Sequence, residues 1–564
     1  MSMTRAEALA QLTAPDAPYA LTQGLINGRD CRYFANAPLT LGQLYSENIS
    51  DLTFLVFEEE RLSFSEVHKR AMRLANALRT RCGITHGDRV AISMRNYPEW
   101  IISFMAVTSM GAVAVAMNAL WQTDEIEYGL KHSGSKVFIA DGERLQRVAP
   151  IRDQLDLQLI GTRNDPSQSD QSDFDFASLI SASESTDLGW ANVGPDDYAT
   201  IFYTSGSTGH PKGAVSCHRN ILSALFSWEL DLAARHLELG ISAPTPTEQP
   251  ATLLAVPLFH ATGSHAVYLQ SYRAQRKIVA MYRWDPKAAV SLIEAERISS
   301  FVAPAAMTGD LIEAGKQASA DLSTLLSVGG GGAPRAPAQV SNIATTFKQA
   351  MPSTGWGMTE TNAIGTGIGG DDYLARPASS GRCSAVLDIK VVDDEGRDLP
   401  AGARGELRIR GASVIAGYWE RPEANAEAFE DGWLKTGDVA YIDAEGYVYI
   451  VDRIKDLVIR GGENIGCAEV EAALLSHSDI IEASAYAVPD ERLGEEVGAT
   501  IYTESMMDED SIRAYLSAQI AKFKIPRYLS QSATPLPRIA SGKINKRQLR
   551  AEAISRLGLS EETA

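Results

Sequence analysis

Residues 203–213 read Tyr-Thr-Ser-Gly-Ser-Thr-Gly-His-Pro-Lys-Gly, a run of short hydroxyl side chains and glycines closed by a lysine. Many small donors with no bulky side chain among them are what a polyphosphate requires of a binding loop, and Lys212 adds a point charge. A flexible Ser/Gly linker has a similar composition, but it would not need the Pro-Lys-Gly that follows. The segment is not a Walker A loop, because no glycine stands five residues before a Gly-Lys-Ser/Thr. A second glycine-rich run, Gly365-Thr366-Gly367-Ile368-Gly369-Gly370, fits GxGxxG. Asp371 and Asp372 follow it at once and no good helix opens, so a dinucleotide-binding dehydrogenase is poorly supported. There is no GxSxG elbow and no evident catalytic cysteine, which points away from a protein nucleophile.

The elements that must carry these residues read as α/β. Ser63 and Glu66 have the spacing of a capping box ahead of Val67, Ala71, Leu74 and Leu78, and Gly83 terminates that helix. A strand follows over 89–94. Residues 100–121 carry no charge and are long enough to span a bilayer. The stronger reading is a helix opened by Pro98 and ended by Gly111, then a buried strand over 113–117. Strands alternating with helices imply a parallel sheet covered on both faces. Residues 161–190, rich in Ser, Asp and Thr, read as a surface connection. From about 385 to 443 short β-rich runs punctuated by Gly and Asp suggest a small β subdomain. Helical spacing returns at Val470, Ala473, Leu474 and His477, so the last hundred or so residues read as a separate α+β unit.

Composition bounds the function. The chain has 564 residues, 45% hydrophobic and 22% charged, which excludes bulk disorder and suggests several folding units. A net charge of −19 argues against a general nucleic-acid or anionic-membrane surface. A small anionic ligand remains open, since screening acts over about 8 Å at physiological salt and local cations decide. Five widely spaced cysteines with no CxxC pair imply neither a disulfide framework nor a zinc site. The amino terminus does not read as a signal peptide, and the expected location is the cytoplasm.

Ordered motifs then carry a resemblance that runs from about Leu41 to Leu549. After YTSGSTGHPKG come PLFH at 257–260, GGAP at 331–334, GWGMTE at 355–360, GELRIRG at 405–411, TGD at 436–438, DRIKD at 452–456, GGENI at 461–465 and SGKINKRQLR at 541–550. In this order they resemble the adenylate-forming superfamily of acyl-CoA synthetases, aryl-CoA ligases, luciferases and peptide-synthetase adenylation domains. The implied architecture is a large α/β domain over 1–452, of two doubly wound sheets and a small β-barrel subdomain. A hinge would lie at 453–456, and a small mobile α+β domain would occupy 457–564.

The resemblance also implies roles. Thr204, Ser205, Gly206, Ser207, Thr208, Gly209 and Lys212 would hold the β- and γ-phosphates of ATP. Glu360 would hold Mg²⁺, and Thr359 would contact the α-phosphate. Gly331, Gly332, Ala333 and Pro334 would wall the adenine, with Trp356 and Gly357 beside it. Trp356 stands where relatives usually carry Tyr, which keeps the aromatic face and loses the phenol. Asp438 would accept both ribose hydroxyls, Arg453 would assist at ribose or phosphate, and Lys543 would bridge the substrate carboxylate and α-phosphate. Lys455 would be the hinge, and Gly461, Gly462, Glu463 and Asn464 would line the tunnel for CoA.

The implied activity is AMP-forming ligation of a carboxylic acid to CoA. Candidate acyl-pocket residues are His260, Gly263, Val302, Ala303, Gly329 and Ala363, mostly apolar or small, so a hydrophobic acid is expected. Phe259 is followed by His260 and Ala261 rather than by an aspartate, which disfavours an amino-acid substrate. Only 21 residues follow Lys543, so a diffusible thiol is expected rather than a fused carrier domain. The sequence admits a homodimer. Other readings are an adenylating enzyme with another acceptor, luciferase-like or carrier-loading, and a silent nucleotide-binding homologue.

Overall fold

The structure is a computed structural model describing residues 3–164, 172–183, 193–204, 210–242, 247–331, 335–347, 349–461, 463–539 and 543–559. Local signals set its first layers. The helix Phe64–Cys82 starts on the Ser63/Glu66 capping box and ends at Gly83, whose φ of 70° is left-handed. The uncharged stretch divides as expected into the helix Pro98–Ser109, with proline in its first turn, and the strand Val113–Ala116. Gly111 turns the chain between them with φ 73°. Every residue of that helix except Glu99 is buried, on all faces, because it lies inside the protein. Among the described residues no helix is long and apolar enough to cross a membrane.

Two large sheets share one core. In the first, counted over the described residues, eight strands run in the order Gly417–Tyr418, Lys212–Cys217, Tyr198–Thr204, Val113–Ala116, Arg89–Ser93, Val137–Asp141, Gln158–Thr162, Phe174–Asp175. From Tyr198–Thr204 to Phe174–Asp175 every pairing is parallel. The first three strands are antiparallel to one another, so the phosphate segment is a hairpin near one edge of a parallel sheet.

The segment read as a surface connection holds more structure than its composition suggested. Phe174–Asp175 adds a strand, and the helix Phe176–Ala182, capped by Asp175, buries Phe176 and Leu179 against the helix Phe64–Cys82. A few apolar residues at helical spacing outweigh the surrounding Ser and Asp.

The second sheet has a parallel half made from Met351–Thr354, Ser327–Gly330, Ser300–Ala303, Ala251–Leu254, Lys277–Ala280 and Thr53–Phe57. It continues through Thr366–Gly369 and Gly381–Cys383 into antiparallel strands Tyr447–Arg453, Trp433–Ile442, Gly405–Gly411 and Leu387–Val392. The β-rich region therefore runs from Gly381 to Arg453, wider than composition indicated. A short helix does open at Gly370, contrary to expectation, but the strand Thr366–Gly369 is antiparallel to both neighbours. No parallel βαβ turn forms there, and the GxGxxG match carries no nucleotide site.

Trp100, Phe104, Phe54, Phe64, Tyr268 and Tyr272 pack in the core shared by the two sheets. Residues after the strand Tyr447–Arg453 build a separate α+β domain. Its strands are Glu463–Ile465, Val458–Arg460, Gly494–Tyr502, Glu482–Asp490 and Tyr528–Ser532, with a core of its own around Val470, Leu474, Val497 and Ile501.

Gly381 joins the two halves of the second sheet with φ 96°, and a Cβ there would stand 2.1 Å from the carbonyl carbon and oxygen of Gly367. Gly381→Ala is expected to cost about 2 kcal/mol or more and to lower the melting temperature followed by tryptophan fluorescence. An unchanged melting temperature would show that the two strands part without penalty.

Candidate active site

The phosphate hairpin places its two ends side by side. Thr204 pairs with Lys212 across it, and the Thr204 hydroxyl lies 3.4 Å from the Lys212 carbonyl oxygen. The edge strand Gly417–Tyr418 pairs with the outgoing leg, Ala214 opposite Tyr418, which sets the Lys212 Nζ 5.1 Å from the centroid of the Tyr418 ring. The Tyr418 hydroxyl in turn donates to Glu360 Oε1 at 2.8 Å. Glu360, in the short turn Thr359–Thr361, is only 7% exposed. Burial lifts its pKa above the ordinary glutamate value, against the pull of the Tyr418 hydrogen bond and the charges of Arg453 and Lys212. Thr359 lies beside it in the same turn.

A second buried carboxylate faces the same region. Asp438, 3% exposed, sits opposite Arg453 in the register of Trp433–Ile442 with Tyr447–Arg453. Arg453 Nε meets its Oδ1 at 2.7 Å, and the Trp356 indole N–H donates to its Oδ2, also at 2.7 Å. Burial still raises the Asp438 pKa, opposed by Arg453, Trp356 and Lys543. The tryptophan that departs from the usual tyrosine thus contributes a donor to this carboxylate. Its approach depends on glycines: a Cβ on Gly365 would lie 2.6 Å from the Trp356 ring and backbone, and one on Gly357 would lie 2.5 Å from the Ala363 carbonyl oxygen.

Lys543 arrives from the terminal domain into the field of Asp438 and Arg453. Desolvation and Arg453 lower its pKa, and Asp438 acts in the opposite sense. Many protein atoms surround Lys543, yet part of its surface still meets solvent, so desolvation is partial and screening tempers the shift. Lys543 also acts on His260, whose pKa burial and that lysine bring down to about 4, leaving the imidazole neutral. The His260 Nε2 is buried without a hydrogen-bond partner among the described residues.

The apolar wall is tight. A Cβ on Gly263 would lie 2.2 Å from the Pro257 carbonyl oxygen. Gly263 belongs to a π-helical segment, Thr262–Leu269, an uncommon form that recurs at functional sites. Gly329 abuts Val302 and Ser353, and Ala303 is buried on the neighbouring strand. Ala363 and Asn362 both have left-handed φ, 66° and 57°. A buried network holds that strained pair: Asn362 Oδ1 accepts from the Ser216 hydroxyl at 3.0 Å and from His265 Nε2 at 3.1 Å, while its amide donates to the Ser413 carbonyl at 2.8 Å. With Nε2 donating, His265 Nδ1 is an acceptor, and the Ser264 hydroxyl stands 2.9 Å from it while its one proton is shared with the His260 carbonyl oxygen at 3.1 Å.

Other expected residues lie elsewhere or outside the described chain. Lys455 is exposed in the turn Ile454–Asp456 between the two domains. Gly461, at φ 58°, begins the turn into Glu463–Ile465, where Glu463 and Asn464 face solvent and join none of the groups above. Gly331 follows its strand with open space where a Cβ would stand. Ser205, Gly206, Ser207, Thr208, Gly209, Gly332, Ala333, Pro334 and Gly462 lie outside the described residues. Tyr418, Asn362 and His265 were not singled out from the sequence. Of these only Tyr418 has a local signal, the apolar run Val414-Ile415-Ala416 leading into it between two recognised motifs.

The AMP-binding enzyme family matches residues 45–419, and the AMP-binding enzyme C-terminal domain matches 469–543. A feruloyl-CoA synthase of an Amycolatopsis species is 33% identical over 493 residues, which cover 87% of this chain and 93% of that protein. The long-chain-fatty-acid–CoA ligase FadD13 of Mycobacterium tuberculosis is 32% identical with the same coverage, 87% and 93%. The fold is shared with a solved anthranilate CoA ligase, AuaEII, in complex with anthranoyl-AMP, at TM-score 0.82 and 24% identity over 93% of this chain and 99% of that one.

The raised pKa of Glu360 has a consequence for stability. A carboxyl whose folded pKa lies above its unfolded value contributes stability that is complete below the unfolded pKa and is lost as pH rises through the folded one. Glu360→Gln, permanently neutral and still able to accept from Tyr418, is therefore expected to melt increasingly above the wild type as pH rises from the ordinary glutamate range towards neutrality in thermal scans. A variant that melts lower at neutral pH would contradict this.

Proposed function

This chain belongs to the AMP-binding enzyme family, and we propose that it is an AMP-forming acid–thiol ligase joining a hydrophobic carboxylic acid to CoA at the expense of ATP. The observation that supports it most is convergence. Lys212, Glu360, Asp438, Arg453 and Lys543, far apart in the chain, form one electrically connected set, with Tyr418 and Trp356 bonded to its two carboxylates. These are groups for neutralising and orienting a nucleotide, not for attacking it.

In this reading the acid's carboxylate oxygen attacks the α-phosphorus and pyrophosphate leaves. Lys212 and the Thr204 hydroxyl attend the departing phosphates from the hairpin. Asp438 accepts the ribose hydroxyls through the oxygens that Trp356 and Arg453 orient. Lys543 supports the charge that develops between carboxylate and α-phosphate. Glu360 suits Mg²⁺, a hard cation that takes one or two protein carboxylates together with substrate phosphates. Bound there, the ion would neutralise phosphate charge.

The small and apolar residues Gly263, Val302, Ala303, Gly329 and Ala363 support a hydrophobic acyl group, and a neutral His260 adds no charge to it. Thiol attack on the acyl carbon then releases AMP. Glu463 and Asn464 stand away from the site while Lys543 is near it, so the second step calls for a turn of the terminal domain about Lys455 that exchanges the two.

The test is a panel of carboxylic acids with ATP, Mg²⁺ and CoA, read by pyrophosphate release and thioester mass. An aliphatic or aromatic acid is expected to give both products, and a panel yielding neither would overturn the reading. Lys543→Ala is expected to lose adenylate formation, by at least ~100-fold, and to retain most thioester formation from supplied acyl-adenylate. Equal loss in both half-reactions would refute its role. Lys455→Pro should block only the second step, and an unchanged thioesterification rate would count against the hinge.

A further inference from the structure

The helix Thr123–Ser133 belongs to none of the motifs above, yet two of its side chains, one turn apart, hold the two legs of the phosphate loop. Tyr128 lies between two imidazoles. The His132 ring stacks on it at 5.2 Å and 17°, and the His210 ring, on the outgoing leg, at 4.3 Å and 13°. Its hydroxyl donates to the Pro211 carbonyl oxygen at 3.1 Å and accepts from Arg421 Nη2 at 2.7 Å.

His132 reaches the incoming leg, with Nδ1 2.8 Å from the Tyr203 hydroxyl, which itself donates to the Gly129 carbonyl oxygen at 3.2 Å. Nδ1 is then the protonated nitrogen and donates to Tyr203. The residues so held, Tyr203 and Pro211, immediately precede Thr204 and Lys212. Arg421 closes a ring of contacts, since it lies one short turn beyond Tyr418, the residue under Lys212 and bonded to Glu360.

The geometry points to Tyr128 as the positioning residue of a clamp, completed by His132, that fixes both legs of the phosphate loop and tunes the enzyme for the β- and γ-phosphates of ATP. This rests on the ligase reading for the ligand. The ring, through its stack, sets where the outgoing leg runs, and the hydroxyl fixes the carbonyl one residue before Lys212. The ligase reading assigns the nucleoside half to Trp356 and Asp438, which are bonded to each other and share none of the contacts given for Tyr128. The clamp therefore discriminates by phosphate number.

Binding of MgATP and of AMP to the full-length protein, followed by calorimetric titration, tests this without requiring turnover. Tyr128→Phe keeps the stack and loses both hydroxyl bonds, and is expected to weaken MgATP about 5-fold while leaving AMP unchanged. Tyr128→Ala is expected to weaken MgATP by more than ~10-fold, again sparing AMP. In turnover the loss should fall on KM for ATP, with KM for acid and CoA within about twofold of wild type. If Tyr128→Ala fails to fold, Tyr128→Phe and His210→Ala, which removes the stack from the loop side, carry the same expectation.

MgATP affinity unchanged in folded variants, or ATP and AMP weakened alike, would overturn the clamp. A wild type that binds MgATP but makes no product with any acid would overturn the ligase reading and leave the clamp to be judged on binding. A wild type that binds no MgATP would overturn both.

Discussion

Two carboxylates taken out of water and left short of full compensation define this protein. Burying an ionised carboxylate costs several kcal/mol unless cations and donors replace its hydration. Asp438 receives a guanidinium and an indole N–H at bonding distance, and Glu360 a phenol, with Lys212 and Arg453 acting from farther off. In both cases burial still outweighs the partners, and both pKa values lie above the ordinary range. A site in that condition is stabilised by whatever brings the missing donors and positive charge. Ribose hydroxyls and a divalent cation on a polyphosphate are such partners.

The fold serves this constraint by putting antiparallel additions on parallel sheets. The hairpin carrying Thr204 and Lys212 and the edge strand carrying Tyr418 extend the first sheet, while the strands carrying Asp438 and Arg453 extend the second. Parallel strands need long crossovers, whereas antiparallel partners join in a fixed register, by a short turn as between Trp433–Ile442 and Tyr447–Arg453 or from far along the chain as Gly417–Tyr418 does beside Lys212–Cys217. Tyr418 meets Lys212 because of one such register, and Asp438 meets Arg453 because of another. The terminal domain has its own core and delivers Lys543 without belonging to either sheet.

Much of this was legible in the sequence where a local rule governs. The capping box at Ser63, the proline-opened helix at Pro98 and the buried strand after Gly111 follow from propensities that act within a few residues. The site residues in recognised motifs were found for another reason: glycines, hydroxyls and charges at fixed order leave a resemblance even when their geometry is hidden. The supports were not legible. Tyr418, Asn362, His265 and Tyr128 act through partners distant in the chain, and apart from the apolar run leading into Tyr418 nothing in their own neighbourhoods marks them. The strand and helix over 174–182 escaped because a handful of apolar residues in a polar stretch is decided by what packs on them. Trp356 gained meaning only in place, where its indole nitrogen proved to be a donor to Asp438.

The central claim, that the carboxylate of an acid attacks the α-phosphorus of ATP within this cluster, is tested most directly by oxygen transfer. An accepted acid labelled with ¹⁸O in its carboxylate, incubated with ATP, Mg²⁺ and CoA, should yield AMP carrying one labelled oxygen, because thiol attack leaves the bridging oxygen on phosphorus. Unlabelled AMP, or label found in pyrophosphate or inorganic phosphate instead, would contradict the account.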